Sequence, residues 1–519
     1  MKLHFCILIL AFVYGISISQ NTCSNTSQPD HTHLSIDSII IEGNTAANDT
    51  WYKKILPFKE GDTFDSALYK STQRIITDSL YSRGHLFAEI QYFTSVNSTN
   101  NTVSIYYLVY EGPVLLTGNI EIVGLDQVKA IVVERELFLK TNQILTPQKI
   151  QLSIRQLYRT GLFSFVIIEP LDTFHRYTEL DTVKMPILIQ VEETNMVNLQ
   201  IGGGYSSIEG LLGNLVFSHK NLFRLGHAVS LTGKISSVSA GGSLAYTYPH
   251  VFSTGLSADF RGYIERFSWD TYKEVLSGTT LGIGGSAKVY NSWRTWTSFK
   301  HQHFISKPES HSQLNLSNSN TILLGSSIQR DTRNTYFSPG NAILAMLTGE
   351  LAGFTVWSNQ FYRIQSDFRI YRSFFDNSLI AGSALFLGYV NEYGSGKTIP
   401  PSELFRSGFG MVRPVRGYDE NEISPLLDND ITGGKLALTF NAVNLIFPIY
   451  EILKGEAFID AGKIWTTPSS FSFRDFKWSV GAGLILATQS FPARIDYGIK
   501  LDRNRRFDGN IYFALGYPF

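Results

Sequence analysis

Two short stretches of this 519-residue chain carry side chains suited to directed chemistry. Val415-Arg416-Gly417-Tyr418 sets a permanent cation between an apolar residue and a glycine. Phe458-Ile459-Asp460-Ala461-Gly462 offers a carboxylate among apolar and small residues. An arginine keeps its charge in a protein and needs an acceptor. An aspartate can supply one through two parallel hydrogen bonds. Such chemistry fastens segments together and breaks no bond. Stretches that mimic catalytic or nucleotide sites fail on spacing. Gly394-Ser395-Gly396-Lys397-Thr398 ends like a phosphate-binding loop, but Asn391 stands at its first glycine position. Gly241-Gly242-Ser243-Leu244-Ala245 lacks the last glycine of a nucleophile elbow, and Gly481-Ala482-Gly483 lacks the third of a dinucleotide fingerprint. His31 and His33, near Cys23, read as polar residues of the N-terminal stretch rather than metal ligands. No catalytic constellation and no cofactor are expected.

The elements that must position these residues alternate apolar and polar side chains. Leu256, Ala258 and Phe260 interleave with Ser257, Asp259 and Arg261. Ile495, Tyr497, Ile499 and Leu501 interleave with Asp496, Gly498 and Lys500. Ile511, Phe513, Leu515, Tyr517 and Phe519 share one side of the last segment. Period-two alternation puts one set on each face of a strand. Here the less apolar face carries charges, as in a closed barrel with lipid outside and water inside. A sheet that spans lipid cannot leave its edges unpaired, so closure and membrane are one inference. Residues 197–519 then form the barrel. At roughly 20 residues per strand and loop, that length holds roughly 16 antiparallel strands. Ser306 to Asn320, long and polar, reads as an outer loop.

Composition agrees. Charged residues are 17% and aromatics 13% of the chain, which suits a barrel with aromatic girdles. The formal charge is zero, so bulk charge gives no support for a nucleic-acid partner. Residues 1–19 read as a secretory signal, with Lys2 before the apolar Phe5–Ile16 and small residues at Ser17-Ile18-Ser19. Removal of Cys6 with the signal leaves Cys23 alone, and no internal disulfide is expected. Residues 20–33 read as a polar linker.

Residues 34–196 read as two α+β modules, 34–112 and 113–196, each in the order β-α-α-β-β. In the first, Ile39-Ile40-Ile41-Glu42-Gly43 is a strand and turn, and Trp51 to Leu56 is helical. Thr63 or Asp65 caps a helix to about Tyr81, closed by Gly84. Leu86–Phe93 and Val103–Tyr110 are strands. In the second, Pro147 starts a helix with Ile150, Ile154, Leu157 and Tyr158 on one face. Phe165–Glu169 and Pro186–Val191 follow as strands. The repeated order points to a duplication.

Taken together, the motifs resemble the outer-membrane assembly and translocation superfamily typified by BamA and TamA. That family carries a V-R-G-[FY] tip on a long loop folded back into its barrel, matched by Val415–Tyr418. It carries an F-x-D-x-G strand on the facing wall, matched by Phe458, Asp460 and Gly462. Asn221-Leu222-Phe223 with Gly226 looks like its N-L-F-G-x-G hairpin, with Arg224 where glycine is usual. Asp331-Thr332-Arg333 before Pro339-Gly340, and Gly433-Gly434 before Phe447-Pro448, look like two further family motifs. The N-terminal modules resemble its POTRA modules. Asn444 stands where a glutamate is usual, and Pro518 lies in the last strand.

The resemblance implies a lumenal loop anchor made by Arg416, Gly417, Tyr418, Asp460 and Gly462, with Arg416 paired to Asp460. It also implies a lateral seam between the first strand, with Gly202, Gly203 and Gly204, and the last, Asn510 to Phe519, with Gly516 and Phe519. Three adjacent glycines weaken a strand and loosen its register. The expected function is an outer-membrane assembly factor whose periplasmic modules capture unfolded barrel precursors. Its partners would be those clients, the lipid bilayer, and periplasmic or lipoprotein accessory subunits. A two-partner secretion transporter and a passive porin are the alternatives. The polar stretch before the first module has no helical period and so no plug helix, and a porin needs no soluble modules.

Overall fold

The computed structural model describes residues 34–171, 181–206, 209–251, 254–268, 272–288, 290–306, 317–333, 340–375, 378–394, 399–407, 412–428, 431–486, 488, 493–502 and 508–515. The expected signal, the polar linker and residues 307–316 of the expected outer loop lie outside them, as do Gly516, Pro518 and Phe519. By its contacts the chain divides into two compact units. Residues up to Glu121, with Phe138–Leu152 and Glu169–Leu188, form the first; Ile122–Leu137, Ser153–Ile168 and Ile189–Phe519 form the second.

The first module contains β1 (Ser35–Glu42), α1 (Asp49–Ile55), α2 (Ser66–Ser82), β2 (Glu89–Asn97) and β3 (Thr102–Tyr110). The second contains β4 (Val114–Val123), α3 (Ala130–Glu134), α4 (Pro147–Arg159), β5 (Phe163–Pro170) and β6 (Thr182–Glu193). Their sheets have the same order, β1-β3-β2 and β4-β6-β5. Asp65 is the cap of α2, its carboxylate accepting the N–H groups of Ala67 and Leu68. Gly84, at φ +98°, follows that helix, and a Cβ there would lie 2.6 Å from the Ile144 side chain. In α4 the buried residues are Ser153 and Leu157. Tyr158 is exposed instead, and its hydroxyl accepts the Val166 N–H at 3.1 Å. The phenol needs a polar partner, so it turns out of the apolar face.

The likeness of the modules extends to single hydrogen bonds. Glu111, just past β3, accepts the N–H groups of Thr45 at 2.8 Å and Ala47 at 3.3 Å, and a short bond from Ala46. Tyr52 donates its hydroxyl to the same carboxylate at 2.5 Å. Glu193, at the end of β6, accepts from Asp126 N at 2.8 Å, Gln127 N at 2.9 Å and Val128 N at 2.8 Å. In both modules a carboxylate at the end of the central strand gathers the N–H groups of the loop after the first strand. Gly43 (φ +82°) and Gly124 (φ +91°) precede these loops, and a Cβ at either would strike the carbonyl of Val109 or Val191. Glycine is required at both turns.

Sixteen strands close into one barrel. They are β7 (Val197–Ser206), β8 (Gly210–Leu222), β9 (His227–Ser236), β10 (Ser239–Tyr248), β11 (Leu256–Ser268) and β12 (Lys273–Lys288). Next come β13 (Asn291–Ser306), β14 (Ser319–Asp331), β15 (Ala342–Ala352), β16 (Phe361–Phe374) and β17 (Leu379–Glu392). A short pair, β18 (Leu426–Asp428) and β19 (Ile431–Thr432), belongs to the following loop. The wall resumes with β20 (Leu436–Tyr450), β21 (Leu453–Trp465), β22 (Lys477–Leu486), β23 (Ala493–Lys500) and β24 (Gly509–Leu515). Alternation sorts the faces. Ile495 is exposed while Asp496 and Lys500 are buried inside. Ile201, Leu211, Ile235 and Ile264 point outward as part of an apolar exterior. Among the described residues no helix is long and apolar enough to cross a membrane.

The Glu111 clamp makes a pH prediction. Burial pushes its carboxyl up, but the bonds from Tyr52, Ala46 and Thr45 outweigh that and hold it below its ordinary range. A lowered carboxyl stabilises the fold at neutral pH, and the contribution disappears as pH falls through the folded-state value. Protection of amides 45–47 in the full chain, measured as exchange relative to the intrinsic rate at the same pH, should therefore fall on acidification below about pH 4. Glu111→Gln should already exchange faster at pH 7, by about 1–3 kcal/mol of lost protection, and show a flatter acid profile.

Candidate functional site: a clamped loop in the barrel lumen

Residues 393–435 connect β17 to β20, and their described part folds into the lumen. Ile399, Phe405, Val412, Val415, Tyr418 and Ile423 of this loop are buried in one apolar cluster with wall residues that include Phe361, Phe386, Ala437 and Ile464. Apolar burial thus seats the loop, at about 1.5–3 kcal/mol per large side chain. Three groups of charges then fix its position.

The first group holds the tip. Arg416 donates from Nε to Asp460 Oδ2 at 2.6 Å and from Nη2 to Asp460 Oδ1 at 2.9 Å, a bidentate pair. Its Nη1 lies 2.7 Å from Glu456 Oε1 and 3.4 Å from Asp496 Oδ2. The guanidinium also lies over the Phe458 ring, 3.3 Å from its centroid. Asn441 adds a short amide bond to Asp460. Asn441 sits opposite Asp460 at a bulge in β20, which re-aims its side chain toward the carboxylate. Gly417, at φ +101°, crosses the wall at Gly498, and a Cβ there would lie 2.9 Å from the Gly498 carbonyl oxygen. A Cβ on Gly462 would meet Val415 at 2.9 Å. Tyr418 is buried, with its hydroxyl 2.6 Å from Asp502 Oδ1 and 2.8 Å from the Trp478 carbonyl.

The second group holds the opposite end of the loop. Glu403 is 2% exposed and lies 2.5 Å from Lys300 Nζ on β13 and 3.0 Å from Arg363 Nη1 on β16. Arg363 donates its Nε to Glu350 of β15 at 2.6 Å. The third group joins Arg413 of the loop to Asp367 of β16 at 2.6 Å, with Arg369 2.7 Å from the same carboxylate. The loop therefore bridges two sectors of wall, β13–β16 and β21–β23.

A separate set of contacts joins residues 126–136 to the β8–β9 and β10–β11 turns of the barrel. Phe223 and Arg224 both adopt left-handed backbone conformations, φ +61° and +64°, which explains why glycine suits position 224. Here the arginine repays its strain through its side chain. Arg224 Nε donates to the Gln127 carbonyl at 3.2 Å, and Nη2 makes a short bond to the Asp126 carbonyl. Asn221 donates to Gln127 O at 2.8 Å and accepts from Gly226 N at 2.8 Å. His250 Nε2 lies 2.7 Å from Glu136, which also accepts from Gln156 at 2.9 Å.

The structure brings Arg416, Gly417, Tyr418, Asp460 and Gly462 together in the lumen. Gly202, Gly203 and Gly204 pair with Asn214, Gly213 and Leu212 of β8. Among the described residues, β24 meets β7 only through Ala514 with Ser206 and Leu515 with Tyr205, beyond the glycines. Gly516 and Phe519 lie outside the described residues. Sequence reasoning missed Glu456, Asp496 and Arg494 around the tip, and the whole Glu403 group. Their inward face was readable from alternation; their meeting depends on register and on a loop reaching across.

A profile of the Omp85 superfamily domain matches residues 221–519, and one of the surface antigen variable number repeat, POTRA, matches 34–112 and 116–194. The chain belongs to the Omp85 superfamily. This Omp85 chain is 23% identical over 472 residues to the outer membrane protein assembly factor BamA of Neorickettsia risticii, covering 86% of this chain and 60% of that protein. It thus spans about 60% of the length of the BamA proteins it matches. In fold it is similar to BamA from Haemophilus ducreyi lacking POTRA domains 1–3, with a TM-score of 0.71 at 20% identity, covering 93% of this chain and 99% of that one. It is also similar to CdiB from Escherichia coli, with a TM-score of 0.55 at 14% identity, covering 96% of this chain and 92% of that one.

A double-mutant cycle on Arg416→Ala and Asp460→Ala, read from the thermal loss of the compact gel form, should be strongly non-additive. Each single change should cost about 3–5 kcal/mol, because it strands buried charge, and additive effects would count against direct pairing. Gly417→Ala should destabilise the same form by about 2 kcal/mol through its forbidden φ and the Gly498 contact.

Proposed function

We propose that this chain is an outer-membrane protein assembly factor of a Gram-negative bacterium. Its modules capture unfolded barrel precursors in the periplasm, and its barrel promotes their folding and insertion. The observation that carries this reading is the glycine run of β7. Gly202, Gly203 and Gly204 lie next to Tyr205 and Ser206, where β24 closes the wall through Leu515 and Ala514. A glycine run offers few side chains to pack, so a junction beside it can part and offer a free strand edge to a client. The edge strands β1 and β2 of the first module can accept an extended segment by strand addition.

One support stands beside the glycine run: the curated relative named above is an outer membrane protein assembly factor. The likeness to CdiB reflects the shared fold and gives the secretion reading no separate support. No step in the proposed mechanism needs a cofactor, since the free energy comes from the client's own folding.

Cysteines at Tyr205 and Leu515, which the register places opposite each other, test lateral opening. Disulfide locking of the seam should abolish assembly of client barrels, with activity restored on reduction; full activity of the locked form would sink the mechanism. Depletion should remove many barrels from the outer membrane. Loss of a single secreted protein would instead identify a transporter.

A further inference from the structure

Two guanidiniums converge on the same pair of carboxylate oxygens at the loop tip. Arg416 Nη1 lies 2.7 Å from Glu456 Oε1 and 3.4 Å from Asp496 Oδ2. Arg494, on β23, reaches the same two atoms, Glu456 Oε1 from Nη2 at 2.7 Å and Asp496 Oδ2 from Nε at 2.6 Å. Asp460 is different: among the described residues the ion pair it makes is with Arg416 alone. The local ledger is three carboxylates against two guanidiniums, with both Glu456 and Asp496 nearly fully buried. Arg494 is the more open cation, its side chain 33% exposed against 11% for Arg416.

We infer that Arg494 is a positioning residue that sets how firmly the loop tip is held, by competing with Arg416 for Glu456 and Asp496. Like charges that share an acceptor weaken each other's hold. The effect on docking follows from which cation can leave. Arg416 moves with the loop, whereas Arg494 is part of the wall. When the tip lifts, Arg494 stays and neutralises Glu456 and Asp496, so only Asp460 loses its ion pair. Without Arg494, the lifted state would strand three buried carboxylates, and stranding even one is costly. Arg494 therefore lowers the cost of undocking and keeps the tip detachable. The inference holds for any activity of the barrel that moves the loop, and so it stands or falls separately from the assembly reading.

The test uses the full chain in outer membranes, with Cys23→Ser to silence the remaining native thiol. Val415→Cys, at a site 1% exposed beneath the tip, reports undocking through its labelling rate with a polar maleimide. Arg494→Ala should slow labelling about tenfold, a coupling of ordinary size between neighbouring charges. Arg494→Lys, which keeps a cation, should label near the parent rate. A purely structural role for Arg494 predicts the opposite sign. Faster or unchanged labelling in Arg494→Ala overturns the inference. Should that variant fail to fold, the isosteric Arg494→Gln reads the same sign. Arg416→Ala should accelerate labelling in both backgrounds and by a larger factor when Arg494 is absent; equal factors also overturn it.

Discussion

A guanidinium taken into a barrel lumen must be met by carboxylates, and Arg416 is met by three of them. Removing such charges from water costs several kcal/mol per ion, so a partly paired tip would not stay buried. The remainder of the loop answers to this constraint. Gly417 and Gly498 allow the backbones to cross closely enough for the side chain to reach, and Gly462 clears room for Val415. Tyr418 adds a polar tether beyond the tip. Glu403 repeats the logic with reversed sign at the other end, where a buried carboxylate of the loop meets two wall cations. Between the two ends the loop lies on an apolar floor. Apolar contact supplies most of the attraction, and the charges select one register for it.

The wall serves two opposed demands. Lipid requires that every backbone donor and acceptor be paired, which closes the sheet. A barrel that admits a client strand must open somewhere at modest cost. The two demands meet at β7, where three consecutive glycines offer little side-chain packing next to the junction with β24.

The modules show how one local solution can be used twice. Glu111 and Glu193 each gather the N–H groups of the loop after the first strand of their module. In the second module the carbonyls of that loop are taken as well, by Asn221 and Arg224 of the barrel hairpin. Arginine at a position that glycine suits costs backbone strain, which its two carbonyl contacts offset. This docking also explains why Ile122–Leu137 falls in the same compact unit as the barrel.

Much was legible in the chain because its signals are local. Alternation at Ile495–Leu501 sets faces by backbone geometry alone, and the length of the alternating region, at roughly 20 residues per strand and loop, leads to about sixteen strands. Asp65 and Pro147 mark helix starts because capping depends on a residue and its next turn. Tyr158 departed from its helical face because the following strand, β5, supplied a partner for its hydroxyl. The meeting of Glu456, Asp496 and Arg494 with Arg416 joins positions up to 80 residues apart. So does the hold of Lys300 on Glu403, across 103 residues. Spacing along a strand determines which way a side chain points. Strand register and the path of a loop through the lumen decide what it meets there, and these follow only when the whole sheet has closed.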